Sequence, residues 1–452
     1  MKLLLINPAF FNKDEFEKRY TTFNDWIKGG NLYPLAFEPP LGIASIAAYL
    51  KSKGFDAELL DMQALLMDEH ELANKLLEIR PDVVGITAMT TTFPSALRAS
   101  KITRKALPDA KVVLGGVHPT IEPGTTLESR YVDFVVRGEG EVVMEQLMTE
   151  LEKGGNISQI EGLSYKHNGE VILKSKSPLV DINSLPMPDY GSFPVNEYIK
   201  HNQSLRDIRC ISVLATRGCP YPCSFCAVKE TMGVRWRAKS PEKVVDELEY
   251  LKNKYDLEGF WFKDSILNMN RKWTSQFCEE IIKRKLDIIW QCNTRVDLIR
   301  EEELKLMVKA GLTELDLGIE TGSPDSLKTL KKKVTIQQTK EAVRLAKKYV
   351  KVFGFFMIGI PGETIDDVKM TFELAKELEL DRSTWSIFQP LPGSELYESS
   401  LKEGTIKKED WRCDNIHFTK CRYNLSRIPD EEIEGIYQEI NDYFYKGREV
   451  SF

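Results

Sequence analysis

The first 209 residues of this 452-residue chain contain no cysteine. A disulfide framework spanning the whole molecule is therefore excluded. No apolar run approaches the roughly 18 residues that a membrane helix needs. The opening apolar stretch, Leu3-Leu4-Leu5-Ile6, is only strand-length. No small-residue cleavage site follows it, so a secretory signal is not expected. A soluble, cytoplasmic protein is the expectation, with a lipid substrate still compatible. An excess of basic charge is also missing. The chain has 62 Lys+Arg against 68 Asp+Glu, a net charge of −6. That balance argues against a large nucleic-acid-binding face. There is no low-complexity tract and no short-period repeat. With 42% hydrophobic residues the chain is neither disordered nor collagen-like, and it can bury a large core. Its length suits about three domains of roughly 150 residues.

What is present first is alternation. Apolar strand patterns occur at Lys2–Asn7, Ala57–Asp61, Val83–Thr87, Lys111–Leu114 and Val132–Val136. Helical patterns lie between them, such as Leu41–Lys53, stopped by Gly54, and Glu141–Lys153, stopped by Gly154-Gly155. Buried-type strands interleaved with helices predict a Rossmann-like, doubly wound parallel sheet over residues 1–155. Ligands of such sheets sit at the carboxyl ends of the strands. Residues 156–204 read as a hairpin around His167-Asn168-Gly169, followed by a proline-rich linker. A second alternating array spans 205–400. Its strand candidates are Ile211–Ala215, Gly259–Phe262, Ile288–Gln291, Glu314–Ile319, Val352–Ile358 and Trp385–Phe388. Ser240-Pro241, Thr335 and Thr364 look like helix openers. The array predicts a partial or full α/β barrel of the TIM type. The charged stretch 401–452 reads as a helical C-terminal cap.

Eight cysteines lie beyond residue 209, and three of them are packed into Cys219-Pro220-Tyr221-Pro222-Cys223-Ser224-Phe225-Cys226. This Cys-x3-Cys-x2-Cys run follows a strand, in a Gly/Pro-rich loop. Composition alone predicts about 0.003 such triplets in the chain, so chance is a poor explanation. Three thiolates in one loop can bind three irons of a [4Fe–4S] cube and leave the fourth iron open. A zinc site would need a fourth ligand, and no histidine is near in sequence. Cys278, Cys292 and Cys210 fit buried small hydrophobes. Cys413 and Cys421 are too sparse for a second cluster. Lys331-Lys332-Lys333 reads as a solvated helix edge.

The cysteine motif, placed after the first strand of an α/β barrel, resembles that of the radical S-adenosylmethionine (SAM) superfamily. Phe225 matches the aromatic usual before the third cysteine. The N-terminal half resembles the cobalamin-binding domain that precedes the barrel in one large branch of that superfamily. Pro39-Pro40-Leu41-Gly42, Val84-Gly85-Ile86-Thr87, Leu114-Gly115-Gly116-Val117-His118-Pro119-Thr120 and Arg137-Gly138-Glu139-Gly140-Glu141 carry this likeness. The resemblance covers roughly residues 1–400. It implies a [4Fe–4S] cluster held by Cys219, Cys223 and Cys226, with SAM on the open iron, and cobalamin held near Thr87, Gly115, Gly116 and His118.

Other positions follow from the same likeness. Asp264, in Phe262-Lys263-Asp264-Ser265, is a candidate to meet SAM or substrate, or else to cap a helix. Arg295 is a candidate partner of the SAM carboxylate, or else of a structural ion pair. Glu320, in Gly318-Ile319-Glu320-Thr321-Gly322, would accept from the SAM ribose or amino group. Phe356–Glu363 resembles the strand that packs on the adenine. The family's Gly-Gly-Glu segment after the second strand is not visible. The Asp-x-His-x-x-Gly cobalt-ligating motif is also absent: Asn7-Pro8-Ala9-Phe10 stands in its place. His70 reads as a helix-surface residue.

The activity implied is C-methylation of an unactivated carbon in a small-molecule, lipid or tetrapyrrole substrate, via methylcobalamin and a 5′-deoxyadenosyl radical. A low-potential flavodoxin or ferredoxin would supply electrons. An oxidative cyclase or ring-rearranging enzyme with the same cofactors is the alternative, and a non-catalytic cobalamin or redox sensor a third. A methylthiotransferase acting on RNA would require N-terminal cysteines and a basic tail, and neither is present. Residues 11–34, rich in aromatics and charges, are candidates for shaping substrate entry.

Overall fold

The structure is a computed structural model that describes residues 1–9, 38–416 and 418–446. The segment 11–34 and the last residues, 447–452, lie outside the described residues. The described chain forms two compact units. One comprises residues up to 198 together with 230–233; the other comprises 199–229 and everything from 234 on.

The first unit is built on a seven-stranded sheet. Its strands are β1 (Lys2–Asn7), β2 (Asp56–Asp61), β3 (Val83–Thr87), β4 (Lys111–Gly115), β5 (Phe134–Val136), β6 (Leu163–His167) and β7 (Glu170–Ile172). Their order is β2-β1-β3-β4-β5-β6-β7. The first five run parallel, in the doubly wound order that reverses direction between β1 and β3. Leu3, Leu4 and Ile6 on β1 are fully buried, as a strand covered on both faces requires. Each such side chain contributes roughly 1.5–3 kcal/mol by leaving water. Helices Leu41–Ser52 and Glu141–Lys153 pack on each other, and the buried Ser45 hydroxyl donates to Glu141 across that contact.

The hairpin expected around His167-Asn168-Gly169 is present, and it also extends the first sheet. β6 pairs antiparallel with β5, and β7 with β6. Leu163 and Tyr165 on β6 are buried, so the apolar side of the hairpin finds its partner on the sheet edge.

The second unit holds a six-stranded parallel sheet. Its strands are β8 (Cys210–Val213), β11 (Gly259–Phe262), β12 (Ile289–Thr294), β13 (Leu312–Glu320), β14 (Lys351–Ile358) and β15 (Arg382–Ile387). They lie in simple chain order, the order of a partial α/β barrel. A separate ribbon of β9 (Thr216–Arg217) and β10 (Arg237–Ala238) follows β8. Crossover helices cover the outer face through an aromatic group: Phe262, Phe277 and Trp290 meet edge to face, and Trp273 stacks on Phe277. Ser240, Thr335 and Thr364 each cap a helix with the side-chain oxygen, the last two in full capping boxes. The stretch after 402 is less helical than expected. Among the described residues it carries a short turn at Cys413–Asn415 and then helix Asp430–Tyr445, whose Phe444 stacks on Trp385 of β15.

After β14 the chain turns sharply, and Glu363 closes the turn. Its carboxylate accepts from the Gly359 and Ile360 amides at 2.7 and 3.1 Å and from the Ser326 hydroxyl at 3.1 Å. Burial nevertheless pushes the carboxyl up, to about 7. A carboxyl raised by folding stabilises the protein most below its unfolded value. That stability is lost as pH rises through about 4.5 to about 7. In urea titrations at pH 5 and pH 8 the wild type should therefore lose on the order of 2–3 kcal/mol more than a Glu363→Gln variant. Equal losses in the two proteins would contradict this.

Candidate functional site

In the first unit the candidate residues gather at the carboxyl ends of β3 and β4. Thr87 and Gly115 are register partners at the last rung of those strands. Gly116 follows with φ +97°, and a Cβ there would meet the Ala88 carbonyl at 2.8 Å and the Thr87 hydroxyl at 2.9 Å. Only glycine suits this close approach of two strand ends. The next turn is a short helix, Val117–Ile121. In it, the His118 amide donates to the Ala88 carbonyl at 3.1 Å, and the buried imidazole lies 4.1 Å from the Phe93 ring. The ends of β3 and β4 thus meet through bare backbone at Gly115 and Gly116, with Thr87 half-buried beside them.

The neighbouring strand ends carry a group that the sequence did not single out. Asp61, at the end of β2, accepts from the Asn7 side chain at 2.8 Å and from the Tyr198 hydroxyl. Burial pushes the Asp61 carboxyl and the Tyr198 phenol up together. The signal was faint: one aspartate closing an apolar strand, and a tyrosine 137 residues away.

In the second unit Asp264, Arg295 and Glu320 fall at the carboxyl ends of β11, β12 and β13. The cysteine loop follows β8 and β9. It is tied down by Ser224, whose amide donates to the Leu330 carbonyl at 3.1 Å and whose hydroxyl donates to the Thr329 carbonyl at 2.7 Å. Phe225 packs on Leu330, Met357, Ile360 and Phe388, so the aromatic of the motif meets the segment expected to pack on adenine. Cys219 and Cys226 both feel the charge of Cys223. Burial pushes Cys226 up to about 11, with Cys223 and Cys219 adding to the shift and Lys332 opposing it. Cys219 is raised for the same reasons. A cationic metal would deprotonate Cys219 and Cys226 on binding and offset that cost. Among the described residues, no three His, Cys, Asp or Glu side chains converge closely enough to grip one metal ion. Three cysteines without imidazole or carboxylate among them fit a cube that takes one thiolate per iron.

Asp264 is fully engaged by the chain. Its carboxylate accepts from the Ala215 amide at 3.1 Å, and from the Thr216 amide and hydroxyl at 2.5 and 2.6 Å. It therefore fastens the start of the cysteine loop, three residues before Cys219. Burial raises its carboxyl to about 6 against those donors. Arg295, also buried, forms an ion pair with Asp297 at 2.9 Å, donates to the Lys332 carbonyl at 2.7 Å, and covers the Tyr221 ring at 3.6 Å.

Glu320 ends β13 at a register shift, with φ +71°, a conformation that costs a non-glycine residue about 1 kcal/mol or more. Its carboxylate meets the Lys332 ammonium at 2.6 Å, both groups buried. A Cβ on Gly318 would lie 2.5 Å from that carboxylate and 2.7 Å from the ammonium, so the glycine leaves room for the pair. Lys332 thus departs from the expected solvated run. The turn after helix Pro324–Thr329 points it inward to Glu320. A lysine inside a run of three gave no sequence sign of this.

Known proteins share this pairing of domains. The B12 binding domain family matches residues 34–148, and the radical SAM superfamily matches residues 213–375. An uncharacterized methyltransferase of Pyrococcus horikoshii is 34% identical over 377 residues, covering 83% of this chain and 81% of that protein. An anaerobic magnesium-protoporphyrin IX monomethyl ester cyclase of Rubrivivax gelatinosus is 34% identical over 369 residues, 80% of this chain and 66% of the cyclase. Among solved structures, the radical SAM methyltransferase TsrM of Kitasatospora setae, with cobalamin and a [4Fe–4S] cluster bound, superposes with a TM-score of 0.72. It is 20% identical, over 89% of this chain and 79% of that one.

Two outcomes test the site as built. Asp264→Ala should free the loop amides and lower both the thermal midpoint and the iron retained per chain. Full iron in that variant would separate Asp264 from the loop. Lys332→Ala should cost about 3–5 kcal/mol by stranding the buried Glu320 carboxylate. Adding Glu320→Gln to it should recover more than half of that loss in urea unfolding; additive losses would show that the two do not act as a pair.

Proposed function

The chain belongs to the cobalamin-binding branch of the radical SAM enzymes, and from that premise we propose that it methylates an unactivated carbon of a small organic, lipid or tetrapyrrole substrate. The observation that carries the proposal is the three-cysteine loop seated at the carboxyl end of the parallel barrel strands. Methyltransferase-named relatives support methyl transfer over other uses of the same cofactors. When bound, SAM on the cluster supplies a 5′-deoxyadenosyl radical and cobalamin supplies a transferable methyl group.

The protein's part is holding, orienting and excluding. Cys219, Cys223 and Cys226 would hold three irons of the cluster. Asp264 fixes the loop on which they sit. Phe225 closes one side of the site with Leu330, Met357 and Ile360, keeping water from a radical. Glu320, held by Lys332, is poised to accept from the amino group or ribose of SAM. In the first unit, Thr87, Gly115, Gly116 and His118 would hold cobalamin, where bare backbone allows close approach to a flat macrocycle. The Asp-x-His-x-x-Gly motif is missing, so no histidine of that motif would contact cobalamin. A low-potential flavodoxin or ferredoxin in the cytoplasm suits the electron demand. Among the described residues no helix is long and apolar enough to cross a membrane.

The cyclase relatives favour the second reading, oxidative cyclisation with the same cofactors. Products separate the two. Anaerobically reconstituted protein given SAM, cobalamin and reductant should form S-adenosylhomocysteine beside 5′-deoxyadenosine, the former only when cobalamin is present. Cys219→Ala should abolish the deoxyadenosine while cobalamin still binds. Deoxyadenosine alone, with cobalamin bound, would move the assignment to the cyclase.

A further inference from the structure

The resemblance offers Arg295 to the SAM carboxylate, but the structure gives its guanidinium another neighbour. One nitrogen, Nη1, lies 3.7 Å from the Cys223 sulfur, within reach of a hydrogen bond to sulfur. The rest of the group is locked. Nε donates to Asp297 at 2.9 Å, Nη2 donates to the Lys332 carbonyl at 2.7 Å, and the plane lies on the Tyr221 ring. Tyr221 is itself inside the cysteine loop, between Cys219 and Cys223. The arginine is 4% exposed, so water competes little with these contacts.

We infer that Arg295 is a positioning residue that sets the reduction potential of the iron–sulfur cluster by donating to the Cys223 sulfur. The inference rests on the proposed radical SAM reading. Arginine keeps its charge at any working pH, and its planar fork can be fixed on several sides at once. The step concerned is the one-electron reduction of the cluster from the 2+ to the 1+ state by a low-potential donor, with no bond made or broken. The reduced cluster carries one more negative charge, which spreads onto its sulfurs. A fixed cationic donor at one sulfur favours that form and raises the potential. Asp297 offsets part of the charge, but it is the more exposed partner and lies on the far side of the fork.

The test uses the full chain with its cluster reconstituted anaerobically and no SAM added. Midpoint potentials are read by electron paramagnetic resonance across a mediated titration. Arg295→Gln should leave iron and sulfide per chain unchanged and lower the reduction equilibrium constant about tenfold, or about 59 mV for one electron. Arg295→Lys should keep the charge, lose the fork and fall between. An unmoved potential with full iron overturns the inference. So does an unmoved potential with weakened SAM binding, which returns Arg295 to the SAM carboxylate. If both variants lose iron, the residue serves cluster assembly instead of potential. A wild-type chain that takes up no four-iron cluster would refute the proposed function itself, a result distinct from all of these.

Discussion

Asp264 sits just after β11, buried, and its carboxylate gathers two amides and a hydroxyl from the chain leaving β8. A backbone leaving a parallel strand has amides with no ladder partner. In a buried turn, leaving them unmade costs about 1–3 kcal/mol each. One carboxylate meets that need and so fixes where the cysteine loop begins. The loop's far end is fixed by Ser224 on the 329–330 turn. Cys219 and Cys223 lie between these anchors and Cys226 two residues beyond Ser224, so the loop inherits its position from the barrel strands.

Around that loop the chain arranges charge in pairs. Arg295 is balanced by Asp297 and Lys332 by Glu320, both cations buried close to the thiols. Lone buried cations would be costly, and paired ones are tolerated because their remaining donors are satisfied. Glu363 and Asp264 are different. Each is a carboxyl raised by burial while serving backbone amides, a cost accepted where the chain must turn sharply. Glu320 adds a strained backbone at the end of β13. Strain, buried pairs and raised carboxyls thus collect at one end of the sheet, where a ligand would repay them.

Much of this was legible from spacing alone. Period and length identified the parallel strands, because strands covered on both faces carry continuous apolar runs. The cysteine triplet announced its chemistry, because three thiols at that spacing have few other uses. Thr364 and Thr335 announced their helices through a cap and its partner three residues on. Side-chain partnership was not legible. Nothing in Phe262-Lys263-Asp264 tells a ligand contact from a carboxylate that fastens the preceding strand's exit. Nothing in Lys331-Lys332-Lys333 says which ammonium turns inward. The hairpin of β6 and β7 was legible in its turn, but its place on the sheet edge was not, because pairing with β5 is a long-range choice, invisible to local pattern. The Asp61–Tyr198 contact joins residues 137 positions apart and leaves no periodic trace.

The most direct measurement is the electron paramagnetic resonance spectrum of the reduced, reconstituted protein before and after SAM is added. If Cys219, Cys223 and Cys226 take three irons, one iron stays open, and SAM should bind it and shift the signal of the 1+ cluster. Cys223→Ala should give no comparable four-iron signal. A spectrum that SAM leaves unchanged, from protein with full iron, would mean that the fourth iron is already occupied and would contradict the account of the site.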